Sequence, residues 1–311
     1  NFTADGGTIK LDGNYPVGSG NVALGDAALD DGSLSGAANT SIGDKTLSAN
    51  TSGEHNTAVG RTGLFVNTTG SSNSTLGSAA MESNTTGGFN TAVGRAALYS
   101  NTTASNNTAV GYYALQSNTA ANNVALGWGS AYQNTSGTAN TALGYYALQS
   151  NTTASYNTAV GYQAAYSNTT GADNTAMGTA ALYPNTTGNY NTAFGSASLR
   201  QNTTGSNNTA LGQSALNQNT TMSRNTAVGF EAAYSNTTGS GVAAFGATAL
   251  RSNTTGRSNT AIGGWDATDG IIGPMYYNTT GSYNVGVGTG ALSSNTTAPR
   301  NTAVGYQSLY A

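Results

Sequence analysis

Side chains able to do chemistry are few in this sequence, and most of them recur at one spacing. Asparagine heads an N-x-[ST] triplet at Asn67, Asn84, Asn101, Asn151, Asn168, Asn185, Asn202, Asn219, Asn236, Asn253, Asn278 and Asn295, and at Asn50 and Asn134 with Ser in third place. Further triplets start at Asn1, Asn39, Asn73, Asn106 and Asn207. In a secreted chain such triplets accept N-linked glycans, and the neighbouring Thr hydroxyls are acceptors for O-linked ones. Asn and Thr are equally at home in tight turns and hydrogen-bonded ladders. Two readings follow: a row of surface sugars, or a row of structural amides. At Asn118 the triplet reads N-T-A, so that unit should lack an N-linked sugar. The second Asn-Thr pair, in NTAVG at Asn56, Asn90, Asn140 and Asn157, is generally not a triplet of this kind. It reads as an amide ladder beside a core Val.

Catalytic constellations are not visible. His55 is the single histidine, and equivalent positions carry Phe89, Asn106, Tyr156 and Arg224, so it occupies a variable turn site. With no cysteine, nucleophile–base pairs and nitrogen–sulfur metal sites lack their parts. Glu82 and Glu231 stand in different repeats with no evident partner. The acids Asp5, Asp12, Asp26, Asp30 and Asp31 read as a solvated cap, with Ca²⁺ as the sharper alternative. Gly286-Val-Gly-Thr-Gly looks like a dinucleotide loop, but its glycines belong to the repeat. No enzyme, cofactor or metal is expected. One segment does gather ligand-binding chemistry: between Gly263 and Thr280, Trp265, Asp266, Tyr276 and Tyr277 share a loop where rings could stack on a sugar and carboxylates hold its hydroxyls. The bland reading is a tolerated bulge covering the flank. Trp128 extends a stripe with Tyr112, Tyr145 and Tyr162, a candidate inter-chain contact or sugar platform.

The element that must position these residues is a repeat. The glycine closing N-T-A-V-G recurs every 17 residues from Gly43 to Gly111 and from Gly127 to Gly263. One residue is missing before Gly127, eight are inserted before Gly288, and Gly25 precedes Gly43 by 18. About seventeen units result, and a fixed short period of this kind marks a stacked array. The residue before the glycine is large and apolar (Val59, Leu76, Val93, Phe194, Leu211); four residues after it stands Leu or Ala (Leu98, Leu115, Leu148, Ala131, Ala165). Where it is Ala, the following Tyr132, Tyr166 or Tyr234 could supply the missing volume. This spacing fits neither a helix face nor long alternating strands. Gly and N-T-T-G corners predict two short strands per coil, joined by tight turns, in an all-β β-solenoid or parallel β-roll. At the strand spacing of about 4.8 Å, seventeen coils would form a rod on the order of 80 Å long.

Composition narrows the partners. Only 7% of residues are charged, the net charge is −3, and nine basic residues are scattered singly, so nucleic acid and anionic membrane are poor candidates. No apolar run reaches 18 residues, so no membrane insertion is expected. One Val-like and one Leu-like side chain per coil is a small apolar yield for 17 ordered residues. The shortfall predicts ladder hydrogen bonds and a homo-oligomer, a trimer by preference, with end-to-end fibril growth as the other route.

The N-T-A-V-G-Y-x-A-L phrase resembles the N-S-V-A-I-G-x-x-A repeats in the heads of trimeric autotransporter adhesins, and similar phrases occur in phage tail-fibre shafts. The match runs from about Asn21 to the end, with Val59-Gly60 and Val110-Gly111 as typical instances, although the period here is longer. The resemblance implies a parallel β-roll with three chains packed side by side, on a cell or virion surface.

The expected organisation is a cap or junction over 1–20, repeats over 21–263, an aromatic and acidic insertion over 264–280 and terminal repeats over 281–311. The chain's end inside a repeat suggests a fragment. The expected function is a non-enzymatic extracellular structural fibre or surface fibril, decorated with glycans on its Asn-Thr-Thr corners. The alternative is an adhesin or tail-fibre shaft recognising cell-surface glycans through the Trp265 loop. Ice binding by Thr columns is a third, minor reading.

Overall fold

A computed structural model describes residues 20–310. Asp5, Asp12, the Asn1 triplet and nearly all of the expected cap lie outside the described residues. The chain divides at Asn140/Thr141 into two units, each a β-solenoid. The first carries the strands from Val22–Leu24 to Val124–Leu126, the second those from Thr141–Leu143 to Thr302–Val304. The described residues hold seventeen strands of three residues each, one per coil, and within each unit neighbours pair in parallel. Equivalent residues lie directly over one another: Thr91 on Thr108, Ala92 on Ala109, Val93 on Val110. The expected all-β solenoid and tandem repeat are therefore present.

The expectation of two strands per coil was wrong. After each short strand the chain runs through a compact series of turns containing left-handed residues that are not glycine, such as Ala96 (φ 54°) and Leu98 (φ 52°). Such a conformation is disfavoured for residues with a Cβ. It persists because the turns also bond coil to coil: Leu98 N–H donates to Ala114 O at 3.0 Å, Ser100 N–H to Gln116 O at 2.9 Å and Thr85 N–H to Thr102 O at 2.8 Å. The backbone ladder thus continues around the coil beyond the strand. The repeat glycine sits where successive coils approach closely. Gly94 has φ +127°, and a Cβ there would lie 2.6 Å from Gly111 O.

The second correction concerns the interior. In each Thr-Ala-Val strand the middle residue points inward and the flanking two point outward, as the period of two requires. Ala92, Ala109, Ala159 and Ala176 are fully buried, whereas Leu76, Leu126 and Phe194 are half-exposed or more. The large residue before the glycine is therefore not core. The core pairs the mid-strand Ala with the Leu four residues past the glycine, and Leu98, Leu115, Leu148, Leu182 and Leu216 are fully buried. The coil is too thin for two large side chains to meet. Where Gly286 replaces the mid-strand Ala, an added Cβ would already be 3.3 Å from Met275 Cγ. Tyr132, Tyr166 and Tyr234 stay half-exposed on the flank, so they do not replace the missing Leu volume.

Candidate functional site

Three features could carry function: the corners, the outward strand face and the insertion. At the corners the triplet asparagines turn inward. Asn50, Asn67, Asn84, Asn101, Asn134, Asn151, Asn168, Asn185, Asn202, Asn219, Asn236, Asn253 and Asn278 are all fully buried, and Asn295, in the last such corner, is half-buried. Their amide nitrogens are occupied. Asn84 Nδ2 donates to Asn67 Oδ1 at 2.8 Å and to Gly87 O at 3.0 Å. Asn185 Nδ2 bonds Asn168 Oδ1 at 2.7 Å and Gly188 O at 2.9 Å. A sugar on Nδ2 would displace both bonds and fill a site with no free volume, so the folded coil uses these atoms structurally. The next residue, such as Thr85, donates its hydroxyl to Thr102 O at 3.0 Å. The second Thr of the pair (Thr86, Thr103, Thr170, Thr187, Thr204) is exposed.

The asparagine before each strand forms a parallel ladder, as its spacing suggested. Asn56 Nδ2 donates to Asn39 Oδ1 at 3.1 Å and to Gly70 O at 2.8 Å, while Asn56 N–H donates to Asn39 Oδ1 at 2.9 Å. Asn90, Asn140 and Asn157 are likewise buried. The one-residue deletion interrupts the corner ladder and strips side-chain amide bonds from the other, whose backbone bond from Asn123 N–H to Asn107 Oδ1 persists at 2.9 Å. Asn118 turns its Nδ2 to Ala120 O at 2.6 Å instead of to the coil below. Asn101 Oδ1 and Asn107 Nδ2 are then buried without partners.

The outward strand face carries two columns, Thr and a large apolar residue. Exposure of the apolar column reaches 53% at Leu76, 53% at Phe194 and 68% at Val304. Beside it run stacked rings: Tyr112 on Trp128 at 5.8 Å and 6° in the first unit, Tyr145 on Tyr162 at 5.5 Å and 8° in the second. Arg95 lies over the Tyr112 ring and donates Nη1–H to its hydroxyl at 2.9 Å.

The insertion leaves the column after Gly263 and rejoins it at Met275, which is fully buried in the Leu column. Of the four ligand candidates it brings two together. Trp265 and Tyr276 line one open cleft of about 260 Å³ with Phe230, Glu231, Thr248, Arg251 and Ile272. Asp266 instead ties the loop: it pairs with Ile271 through two backbone bonds (2.8 and 3.0 Å), and its Oδ1 accepts from Thr268 N–H at 2.9 Å. Tyr277 packs edge-on against Tyr276 at 4.9 Å, outside the cleft lining. Glu231, read as partnerless, accepts from Arg251 Nε at 2.6 Å. That bond foremost holds the guanidinium pKa above its ordinary value. Glu231 and Arg251 were missed because they are 20 residues apart, one repeat plus three, a spacing that becomes a contact only once the coils stack.

His55 is exposed in its variable turn, with φ 57°, alongside exposed Phe89 and Tyr156 in the same role. Among the described residues, no three of His, Cys, Asp and Glu converge as metal ligands, and no helix is long and apolar enough to cross a membrane. Compared with known proteins, the chain matches no family model, and no curated protein or solved structure is significantly similar to it.

Proposed function

We propose that this chain is a non-enzymatic structural element of an extracellular or surface fibre, built by side-by-side association of identical chains through the outward strand face. The observation that carries the reading is the unpaired apolar column. Soluble monomers rarely leave contiguous apolar surface of this kind uncovered, and here each unit has its own: Leu24, Ile42 and Leu76 in the first, Phe194, Leu211, Phe245, Ile262 and Val304 in the second. A column with the repeat of stacked strands, about 4.8 Å, is matched best by a surface of the same repeat. A second copy in parallel has one.

Three copies around a common axis is the arrangement that the adhesin-head resemblance supports. The Asn-Thr-Thr corners then serve as internal fastening, and the exposed second Thr of each pair forms the polar outer row. Sugars, if attached, belong on those hydroxyls rather than on the buried amides.

Native mass spectrometry over a concentration series tests the reading. A discrete multiple of the 31.0 kDa chain mass is expected, with three as the proposed number. A chain that remains at 31.0 kDa throughout would remove self-association from the account.

A further inference from the structure

The insertion builds something no regular coil contains. Its eight extra residues do not disturb the core, because Met275 takes the place of the column leucine with its side chain fully buried. The loop is pinned at both ends. Trp265 N–H donates to Ala247 O at 3.1 Å, and Gly273 N–H to Thr248 Oγ1 at 3.3 Å. Between these points the antiparallel Asp266–Ile271 bridge closes the loop tip. The result is a fixed wall facing the preceding coils, with the cleft between them.

The chemistry of that cleft is specific. Trp265, 51% exposed, and Phe230, 43% exposed, offer aromatic surface to solvent. Arg251 is clamped: its guanidinium carbon lies 5.3 Å from the Tyr234 ring centre and 5.6 Å from that of Tyr276, and Nε is bonded to Glu231. Guanidinium and carboxylate neutralise each other, so neither is left to balance the charge of an ionic ligand. What they do offer is a fixed pair of donor and acceptor groups beside ring faces. A pyranose has that complement, with apolar C–H faces that pack on aromatic rings and hydroxyls that bridge a carboxylate and a guanidinium. A volume of about 260 Å³ lies just under the usual range for small-molecule sites, which suits one ring of a sugar rather than a long oligosaccharide.

We infer that the Trp265–Arg251–Glu231 cleft binds a single neutral pyranose, as the terminal residue of a glycan. None of the cleft's lining residues belongs to the apolar strand column. Small neutral ligands of this size bind with dissociation constants on the order of 1 mM.

The test uses the full chain with Trp128→Phe, which leaves Trp265 as the only indole. Its fluorescence is titrated with methyl glycosides of glucose, galactose, mannose and N-acetylglucosamine, and with sialic acid and inorganic sulfate as charged probes. A saturable change with at least one neutral glycoside, and none with the charged probes, is expected. Calorimetry with the same glycoside should show at least a tenfold loss of affinity in Trp265→Ala. A similar loss should appear in Glu231→Gln, a milder change that keeps the side-chain shape should the first variant misfold. Absence of saturation with every neutral glycoside overturns the inference. So does an equal response to sialic acid or sulfate, or unchanged affinity in a folded Glu231→Gln chain.

Discussion

At the residue scale the deciding group is the asparagine amide. A carboxamide both donates and accepts, so one Asn per coil can bond the coil below and the coil above with both of its protons used and its oxygen partnered. Asn84 illustrates the consequence: it donates to Asn67 and accepts from Asn101 at 2.9 Å. Replacing Asn84 by Ala orphans Asn67 Oδ1 in the interior and takes one acceptor from Asn101 Nδ2, while Gly87 O keeps its bond from Asn73 Nδ2 at 2.8 Å; it should cost about 1–3 kcal/mol, read from the denaturant midpoint at constant slope. Gly94→Ala should cost at least about 3 kcal/mol, because its φ belongs to the glycine-only region and the added methyl meets the next coil's backbone. Intact mass before and after treatment with a peptide N-glycosidase should be identical, since the triplet amides are buried and bonded; a loss of mass would show that sugars occupy them. The ladder role of Asn56 and Asn90 was legible because their period equals that of the coil. The inward aim of Asn67 and its equivalents was not. The N-x-T signature describes an acceptor in an extended segment, and a column has the same period whether it faces in or out.

At the scale of the coil, the repeat length set the stacking but not the interior. A strand of three residues gives too little alternation to show which side is buried, so the Val column looked like core by its chemistry alone. The thinness of the coil reverses that assignment, leaving room for one Leu opposite one methyl. The turns were equally hidden, because Ala96 and Leu98 take left-handed conformations that sequence ordinarily signals with Gly or Asn. The contrast between the two apolar columns is measurable. Leu148→Ala, in the buried column, should lower stability by about 2–5 kcal/mol, whereas Leu143→Ala, on the outward face, should act mainly on association. The sixteen-residue coil gives a sharper test. Inserting one Thr between Thr119 and Ala120 restores the N-T-T-A corner and lets Asn118 bond downward again. With partners regained for Asn101 Oδ1 and Asn107 Nδ2, the insertion should stabilise the chain by about 1–3 kcal/mol. A neutral or destabilising insertion would mean that the deletion is relieved in some other way.

For the whole molecule, the outward apolar column takes on the role that the sequence had assigned to the core. Two large apolar residues per coil would already make a small core for a single chain. With only Leu and Ala inside, each coil buries less still, and the outward column is the apolar surface left for another chain to cover. Met177, Phe194, Leu211, Val228 and Phe245 lie on five successive strands within one unit, with Phe194, Leu211 and Phe245 the most exposed of them. Sedimentation equilibrium, combined with far-ultraviolet circular dichroism, of the native chain and of a chain carrying Phe194→Ser, Leu211→Ser and Phe245→Ser is the most direct test of the account. The account predicts that the native chain sediments as a multiple of 31.0 kDa and the triple variant as a single chain, with the β-sheet spectrum unchanged. A native chain that sediments at 31.0 kDa, or a triple variant that loses its sheet spectrum as a buried-core mutant would, contradicts it.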